Sequence, residues 1–337
     1  MQKDPLLEDF KIIRIIDKGS FGKVFLVVNQ HDNRKYAMKR IRKDVLLNKK
    51  QVENTKTERD ILLTIEHPFL LSMDYVFQNE FRLYFLLDFI DGGNLYDHLY
   101  RIRRFPEPQV AFIAAQIALA LGFLHEKLII HRDLKPENVL MDEDGYIRLA
   151  DFGFCKPLQR NDDTTESFCG TAEYIAPEIL FKRAYSYSVD WWTFGVLIYE
   201  MALGRPPFLD KNHHRLGVLI REGPIVFPKM EVHKFAISDE LTDLISRLLT
   251  RDPAKRIGST NGVEEIKQHP FFKDIDFEKL QNKALDAPYK PDMEDMRRKG
   301  KPVEQAAKEA EFEAAESLID KKFQKLVTKN QAKFEGF

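Results

Sequence analysis

The run His131-Arg132-Asp133-Leu134-Lys135-Pro136-Glu137-Asn138-Val139-Leu140, followed after ten further residues by Asp151-Phe152-Gly153, constrains this chain more than any other stretch. In-line transfer of a terminal phosphoryl group needs one carboxylate to orient the incoming hydroxyl and accept its proton. It also needs separate hard oxygen ligands that hold magnesium against the phosphates. Asp133 is placed to be the base, Asn138 and Asp151 offer the metal oxygens, and Lys135 can neutralise charge on the moving group. A lone Asp or Asn in such a loop would be a solvated surface group. The fixed spacing across both motifs is what argues for a site.

Bulk properties permit this chemistry. The chain has 337 residues, of which 44% are hydrophobic, enough to fill one large core or two. A net charge of -1 announces neither a nucleic-acid surface nor a polybasic membrane anchor. Met1 to Phe10 has no apolar signal core, and the longest apolar run, Ala111 to Leu124, carries Gln116 and helical periodicity instead of a membrane span. A soluble, monomeric, cytoplasmic chain is expected, with the nucleus as the alternative compartment. Cys155 and Cys169 are the only cysteines and are expected to be reduced. They bracket the loop after Asp151, so a reversible disulfide between them is the alternative state.

Periodicity divides the chain. From Phe10 to Ile90 β-branched and aromatic residues alternate between turn signals, interrupted once by a charged helical stretch near Val52 to Ile65. From Asn94 onward the pattern is helical, clearest in Val110, Ile113, Ile117, Leu121 and Leu124. The hinge is expected at Asp88 to Gly93, where the apolar strand Leu83 to Leu87 runs into Asp91-Gly92-Gly93, and a nucleotide is expected in the cleft there.

The nucleotide grip is read from Ile16-Asp17-Lys18-Gly19-Ser20-Phe21-Gly22-Lys23-Val24, a glycine-bearing turn between two strand-like runs. Glycines there let backbone N–H groups approach phosphate oxygens. A plain hairpin turn is the competing account, because Asp17 stands where the first glycine of G-x-G-x-x-G would be. Context favours the nucleotide: in Tyr36-Ala37-Met38-Lys39 the ammonium sits on an otherwise apolar strand and needs anionic partners. Glu58 can ion-pair with Lys39, although a lone Glu on a charged helix is more often a surface residue.

These residues together resemble the eukaryotic protein kinases. Gly19 to Val24, Ala37-Met38-Lys39, Glu58, the Asp133 and Asp151 motifs and Ala176-Pro177-Glu178 stand in that family's order, and the resemblance spans Phe10 to about Phe272. It implies an α+β, bilobal fold: a small antiparallel β-sheet lobe with one main helix (10–90), a larger mainly helical lobe (91–272), and a tail over 273–337. It implies ATP and Mg2+ as cofactors, with the nucleotide held by Ile16, Lys18, Gly19, Ser20, Phe21, Gly22, Val24, Ala37, Lys39, Leu87, Asp88, Ile90, Asn94 and Leu140. Leu62, Met73, His131 and Phe152 would stack as the spine of the active state. Asp190 would buttress the catalytic loop and Arg256 would pair with Glu178. For Leu62, Met73, His131 and Phe152 this role coincides with ordinary core packing.

Phe168-Cys169-Gly170-Thr171-Ala172-Glu173-Tyr174-Ile175, Asp252-Pro253-Ala254-Lys255-Arg256-Ile257-Gly258 and His269-Pro270-Phe271-Phe272 resemble the AGC group, the cyclic-nucleotide-dependent, Akt-like and S6-kinase-like enzymes. That implies serine/threonine specificity and an activating phosphosite at Ser167, with Thr164 and Thr165 as competitors. A phosphate at Ser167 would be drawn to Arg132. Glu137, Glu173 and Glu200 match acidic positions that hold substrate arginines, so protein substrates basic upstream of the target Ser or Thr are expected. Asn94 departs from the acidic residue usual there. Phe168, Ala172 and Ile175 would line the pocket for the residue after the target. An upstream activating kinase and an inhibitory regulatory subunit are the regulatory partners compatible with this resemblance.

Ala287-Pro288-Tyr289-Lys290-Pro291 fits the proximal AGC tail, Val303 to Val327 reads as charged helix, and Phe312 is a candidate tether. Phe334 and Phe337 have the spacing of the group's hydrophobic motif. Both rings are expected in the small lobe beside the Glu58 helix, favouring the Lys39 to Glu58 pair. Ending at that motif most resembles the cyclic-AMP-dependent enzyme. Two other functions stay open: a pseudokinase scaffold whose ATP binding is weakened by Asp17, and a kinase of small molecules, against which the docking elements from Phe168 to Glu178 argue.

Overall fold

A computed structural model describes residues 5–19, 22–167, 169–228, 236–294 and 321–337. The chain divides into two compact units, Met1–Glu66 with Leu71–Asp91 and Met293–Phe337 in the first, and His67–Leu70 with Gly92–Asp292 in the second. The chain passes from the first unit to the second between Asp91 and Gly92. His67–Leu70 groups with the second unit, where Leu149 N–H donates to Phe69 O at 2.9 Å. Residues 273–292 group there as well, and Tyr146 Oη accepts from the Leu285 N–H at 3.1 Å.

In the first unit, β1 (Phe10–Lys18), β2 (Gly22–Asn29), β3 (Lys35–Arg42), β4 (Met73–Gln78) and β5 (Arg82–Asp88) form an antiparallel sheet in the order β1-β2-β3-β5-β4. Their β-branched and aromatic side chains suit a pleated, half-buried surface. Successive residues of a strand point to opposite faces. Phe25, Val27, Tyr36, Met38, Tyr84 and Leu86 therefore pack with Phe10 as one apolar cluster. The other face carries Val24 opposite Lys39 and Ala37 opposite Leu87.

Two helices follow β3, where one was expected: α1 (Lys43–Asn48) and α2 (Val52–Thr64). The first is six residues long, opens on Lys43-Asp44 and has no side-chain cap, so it carries no periodic signal. In α2, Val52, Thr55, Glu58, Ile61 and Leu62 are buried, which puts Glu58 on the inward stripe.

The second unit holds α3 (Leu95–Ile102), α4 (Glu107–Glu126), α5 (Pro177–Leu180), α6 (Ser188–Leu203), α7 (His213–Glu222), α8 (Asp239–Leu248), α9 (Val263–Lys267) and α10 (Phe277–Gln281). Two short ladders pair β6 (Ile129–Ile130) with β9 (Lys156–Pro157) and β7 (Val139–Met141) with β8 (Ile147–Leu149). By length and composition α4 could cross a membrane, but 78% of its apolar window is buried, against α6, α9 and α10 among others. It is the core helix of this unit. Toward the C-terminus, α11 (Lys321–Lys329) and a 3-10 turn at Gln331–Phe334 belong to the first unit, α11 lying against α1. Phe312 and the part of the expected charged helix before Lys321 lie outside the described residues.

Candidate active site

The loop between β6 and β7 is built around a buried anchor. Asp190, in the first turn of α6, is fully buried; its carboxylate accepts from the His131 N–H at 2.9 Å, the Arg132 N–H at 2.8 Å and His125 Nε2 at 2.8 Å. Burial alone would raise its pKa, but the bond and charge from His125 and the backbone donors outweigh it and hold the carboxyl below the ordinary aspartate value. This grip keeps Arg132 at φ 70°, a left-handed conformation that costs energy in a non-glycine residue. Asp133 follows directly and is buried.

Three side chains hold the Asp133 carboxylate. Lys135 Nζ donates to Oδ2 at 2.7 Å, Asn138 Nδ2 to the same oxygen at 3.1 Å, and Thr171 Oγ1 to Oδ1 at 3.1 Å. Asn138 Nδ2 also reaches Asp133 O at 2.8 Å, and Lys135 Nζ reaches Thr171 Oγ1 at 3.3 Å. With its amide nitrogen spent on Asp133, Asn138 keeps its carbonyl oxygen as the acceptor end. Asp151, at φ 61°, is exposed and accepts from the Gly153 N–H at 3.3 Å. Phe152 is buried edge-on against His131, 5.9 Å between centroids. Among the described residues no three His, Cys, Asp or Glu side chains cluster as a metal cage. One carboxylate plus one amide oxygen is nevertheless a donor set that suits Mg2+, which takes few protein ligands and completes its shell with phosphates and water.

In the first unit Lys39 Nζ pairs with Glu58 Oε1 at 2.5 Å. Leu62 and Met73 are buried. Asp88, at the end of β5, accepts from Ser72 Oγ and from Arg34, each at 2.6 Å. Ile16, Val24, Ala37 and Ile90 are partly exposed, and Leu87 is buried. The glycine turn is tied by its own backbone. Gly19 N–H donates to Gly22 O at 2.9 Å, so that donor closes the turn. A Cβ on Gly22 would lie 1.8 Å from Arg40 O, so glycine there lets β2 approach β3. Asp17 is exposed and its carboxylate accepts from the Lys18 N–H at 2.7 Å. Ser20 and Phe21 lie outside the described residues.

The loop after Asp151 brings Ser167 to Arg132, whose guanidinium donates to Ser167 Oγ, to Tyr185 Oη at 3.1 Å and to Phe154 O at 2.6 Å. Cys155 is buried, Cys169 is partly exposed, and neither forms a disulfide. Glu200 receives the Tyr174 hydroxyl. Its pKa is raised by burial and by the nearby Glu137 and Glu173, so these three carboxylates share one field. Ala172 opens the short 3-10 turn that ends at Tyr174, and Ile175 after it is buried. Phe168 is outside the described residues. Arg256 and Glu178 form a buried pair, with N–O distances of 2.7 and 3.0 Å. Asn94 caps α3, its Oδ1 accepting from the Asp97 N–H at 2.8 Å, and bridges Leu140.

Sequence alone missed Thr171, Tyr185 and His125 as parts of this machinery. Each acts through a contact distant in the chain, and only Thr171 lies within a recognisable motif, Phe168 to Ile175.

The C-terminal residues meet the Glu58 helix. Phe334 is almost fully buried, with Lys43 Nζ 4.8 Å from its ring centroid. Phe337 stacks on Phe85 at 6.4 Å and lies 4.9 Å from the Arg59 guanidinium, which also donates to Gly336 O.

A protein kinase domain family model matches residues 10–272. The chain is similar to serine/threonine-protein kinase sgk-1 of Caenorhabditis elegans, 44% identical over 291 residues, covering 86% of this chain and 62% of that protein. It is also similar to protein kinase 2 of Dictyostelium discoideum, 45% identical over 284 residues (84% and 58%). Serine/threonine-protein kinase gad8 of Schizosaccharomyces pombe is 44% identical over 294 residues (87% and 50%). The chain spans between half and two thirds of the length of these relatives. By the family match and these identities, the chain belongs to the protein kinase domain family, among the serine/threonine kinases of its AGC group.

Proposed function

We propose that this chain transfers the γ-phosphoryl group of ATP to serine or threonine hydroxyls in protein segments with arginine upstream of the target. The observation that carries this is the Asp133 carboxylate held by Lys135, Asn138 and Thr171. A carboxylate fixed by three donors presents one orientation to an incoming hydroxyl and takes its proton as the new P–O bond forms. Lys135 offsets the negative charge that builds during transfer. Lys39, steadied by Glu58, is assigned to the phosphates. Magnesium, held by Asn138 and Asp151, would neutralise phosphate charge when bound. The adenine and ribose are assigned to Ile16, Val24, Ala37, Leu87, Asp88, Ile90, Asn94 and Leu140.

The shared negative field of Glu137, Glu173 and Glu200 supports arginine-directed substrates. Arg132 beside Ser167 supports activation by phosphorylation there, by an upstream kinase, with the phosphate taking over a guanidinium now shared among neutral acceptors. Contact of Phe337 with Arg59, next to Glu58, supports a tail that favours the active arrangement. The exposed Asp17, engaged by its own neighbour, favours an active enzyme over a pseudokinase. The proposed place of action is the cytoplasm.

The test is transfer of label from ATP to a peptide array of arginine-rich, acidic and proline-directed sequences, with Asp133→Asn as control. Label on the arginine-rich peptides that Asp133→Asn lowers by about 100-fold or more is expected. ATP binding without transfer would leave a pseudokinase, and preference for the acidic or proline-directed peptides would overturn the substrate assignment.

A further inference from the structure

Residues 92–94, where the second unit resumes, are held from two sides. On one side Gly93 O accepts from the Met141 N–H at 2.8 Å and Asn94 bridges Leu140, so the segment rides on β7, the strand that starts immediately after Asn138. On the other lies the C-terminal segment 287–291. His98 of α3 is fully buried and uses both ring nitrogens, Nε2 with Gly92 O at 2.8 Å and Nδ1 with Tyr289 Oη at 2.8 Å. A carbonyl oxygen only accepts, so the ring proton sits on Nε2, and Nδ1 accepts from the tyrosine hydroxyl. That chain needs a neutral imidazole, and burial lowers the His98 pKa in that direction.

Packing fixes the same geometry. The Tyr289 ring stands edge-on to His98 at 5.4 Å and to Phe105 at 5.1 Å. A Cβ on Gly92 would fall 2.3 Å from Met141 O and 2.9 Å from Pro291 Cγ, so this backbone is wedged between β7 and the 287–291 segment. Gln109 Nε2 donates to Pro288 O at 3.2 Å and holds that segment down.

We infer that the Tyr289 to His98 to Gly92 relay is a positioning device through which the 287–291 segment sets the Gly92–Asn94 backbone and thereby the affinity for nucleotide. Tyr289 and His98 are positioning residues that act through Asn94. The inference rests on the assignment of Asn94 to the nucleotide made above. Asp133 is held by a separate set of bonds, so the relay bears on nucleotide binding and leaves the chemical step alone.

Tyr289→Phe keeps the ring and its packing and removes one hydroxyl. ADP affinity by calorimetry, ATP KM and kcat on an arginine-rich peptide, and the melting temperature are compared in the full chain. Kd and KM rise about fivefold, the factor set by one hydrogen bond of ordinary net strength, while kcat stays within about twofold. His98→Gln weakens ADP binding as well, and the double variant is no weaker than the weaker single, because the two groups act in series. An unchanged Kd in Tyr289→Phe overturns the inference, as does a lowered melting temperature at unchanged Kd, or additive losses in the double variant. If the unaltered chain binds no ADP, the nucleotide assignment itself fails, and this inference with it; if it binds and Tyr289→Phe binds equally, this inference alone fails.

Discussion

Asp133 owes its use as a base to the groups that stop it turning, and one of them was hidden from sequence. Lys135 and Asn138 stand in the same short motif as Asp133, at spacings that announce a shared site. Thr171 lies 38 positions away, and its hydroxyl meets Asp133 Oδ1 only because the loop folds back. Thr171→Val keeps the shape and removes the donor. We expect kcat to fall about tenfold at saturating ATP and peptide, with Thr171→Ser retaining most activity, since an orphaned partner at a buried site costs 1–3 kcal/mol. Unchanged turnover in Thr171→Val would make the bond incidental. The acidic cluster yields a second expectation. Because burial and the neighbouring Glu137 and Glu173 raise the Glu200 pKa, Glu200 takes up its proton at a higher pH than an ordinary carboxyl as the solution is acidified. The KM for an arginine-rich peptide should therefore climb on lowering the pH from 7, and Glu200→Gln should flatten that climb.

At the scale of elements, the sheet and α2 were legible because their periods are those of a strand and a helix. The short α1 was not, since six residues opening on two charges resemble a loop. Gly22 shows how a residue can be noticed for one reason and required for another. Its place in a glycine-bearing turn suggested phosphate contact, whereas a Cβ there would meet Arg40 O at 1.8 Å and force β2 away from β3. The nearest atom to a Cβ on Gly19 is 3.9 Å away. Gly22→Ala is therefore expected to abolish cooperative folding of the first unit, and Gly19→Ala to melt like the unaltered chain in circular dichroism. The Phe334 and Phe337 spacing suggested docking of both rings beside α2; Phe337 lies by Arg59 of that helix, whereas Phe334 lies by Lys43 of α1, and the chemistry around Phe334 adds a cost for losing it. Lys43 Nζ faces that ring and also donates to Gln78 and Gln331 at 2.9 and 3.2 Å. Phe334→Ala should destabilise the first unit by about 3–5 kcal/mol, as for other buried phenylalanines.

Across the whole molecule, a change of pattern was legible at Asp91 and Gly92, where a strand pattern gives way to a helical one. That His67–Leu70 joins the second unit was not, because it depends on pairing with Leu149, far along the chain. This small exchange adds half-buried His67 to the unit that already holds the buried His98 and His131, and so bears on that unit's response to acid. Burial, with Arg148 nearby, lowers the His67 pKa to about 4. Burial likewise lowers those of His98 and His131, in the latter against the pull of Asp190, Asp133 and Asp151. In the unfolded chain the same residues titrate near pH 6.5. Below that pH the unfolded state binds more protons than the folded one, so stability falls as pH falls, by up to about 1.4 kcal/mol per pH unit for each such histidine. Asp190 works in a lower window: its depressed folded pKa gives stability that is present above the ordinary aspartate value and lost only below it. Melting temperature should therefore decline steadily from pH 7 to pH 5, before any carboxylate of the Asp190 kind is protonated. His67→Asn, which keeps an acceptor for the Phe69 N–H, should make that decline shallower. A melting temperature that stays flat between pH 7 and pH 5 would show that these histidines reach protons without unfolding.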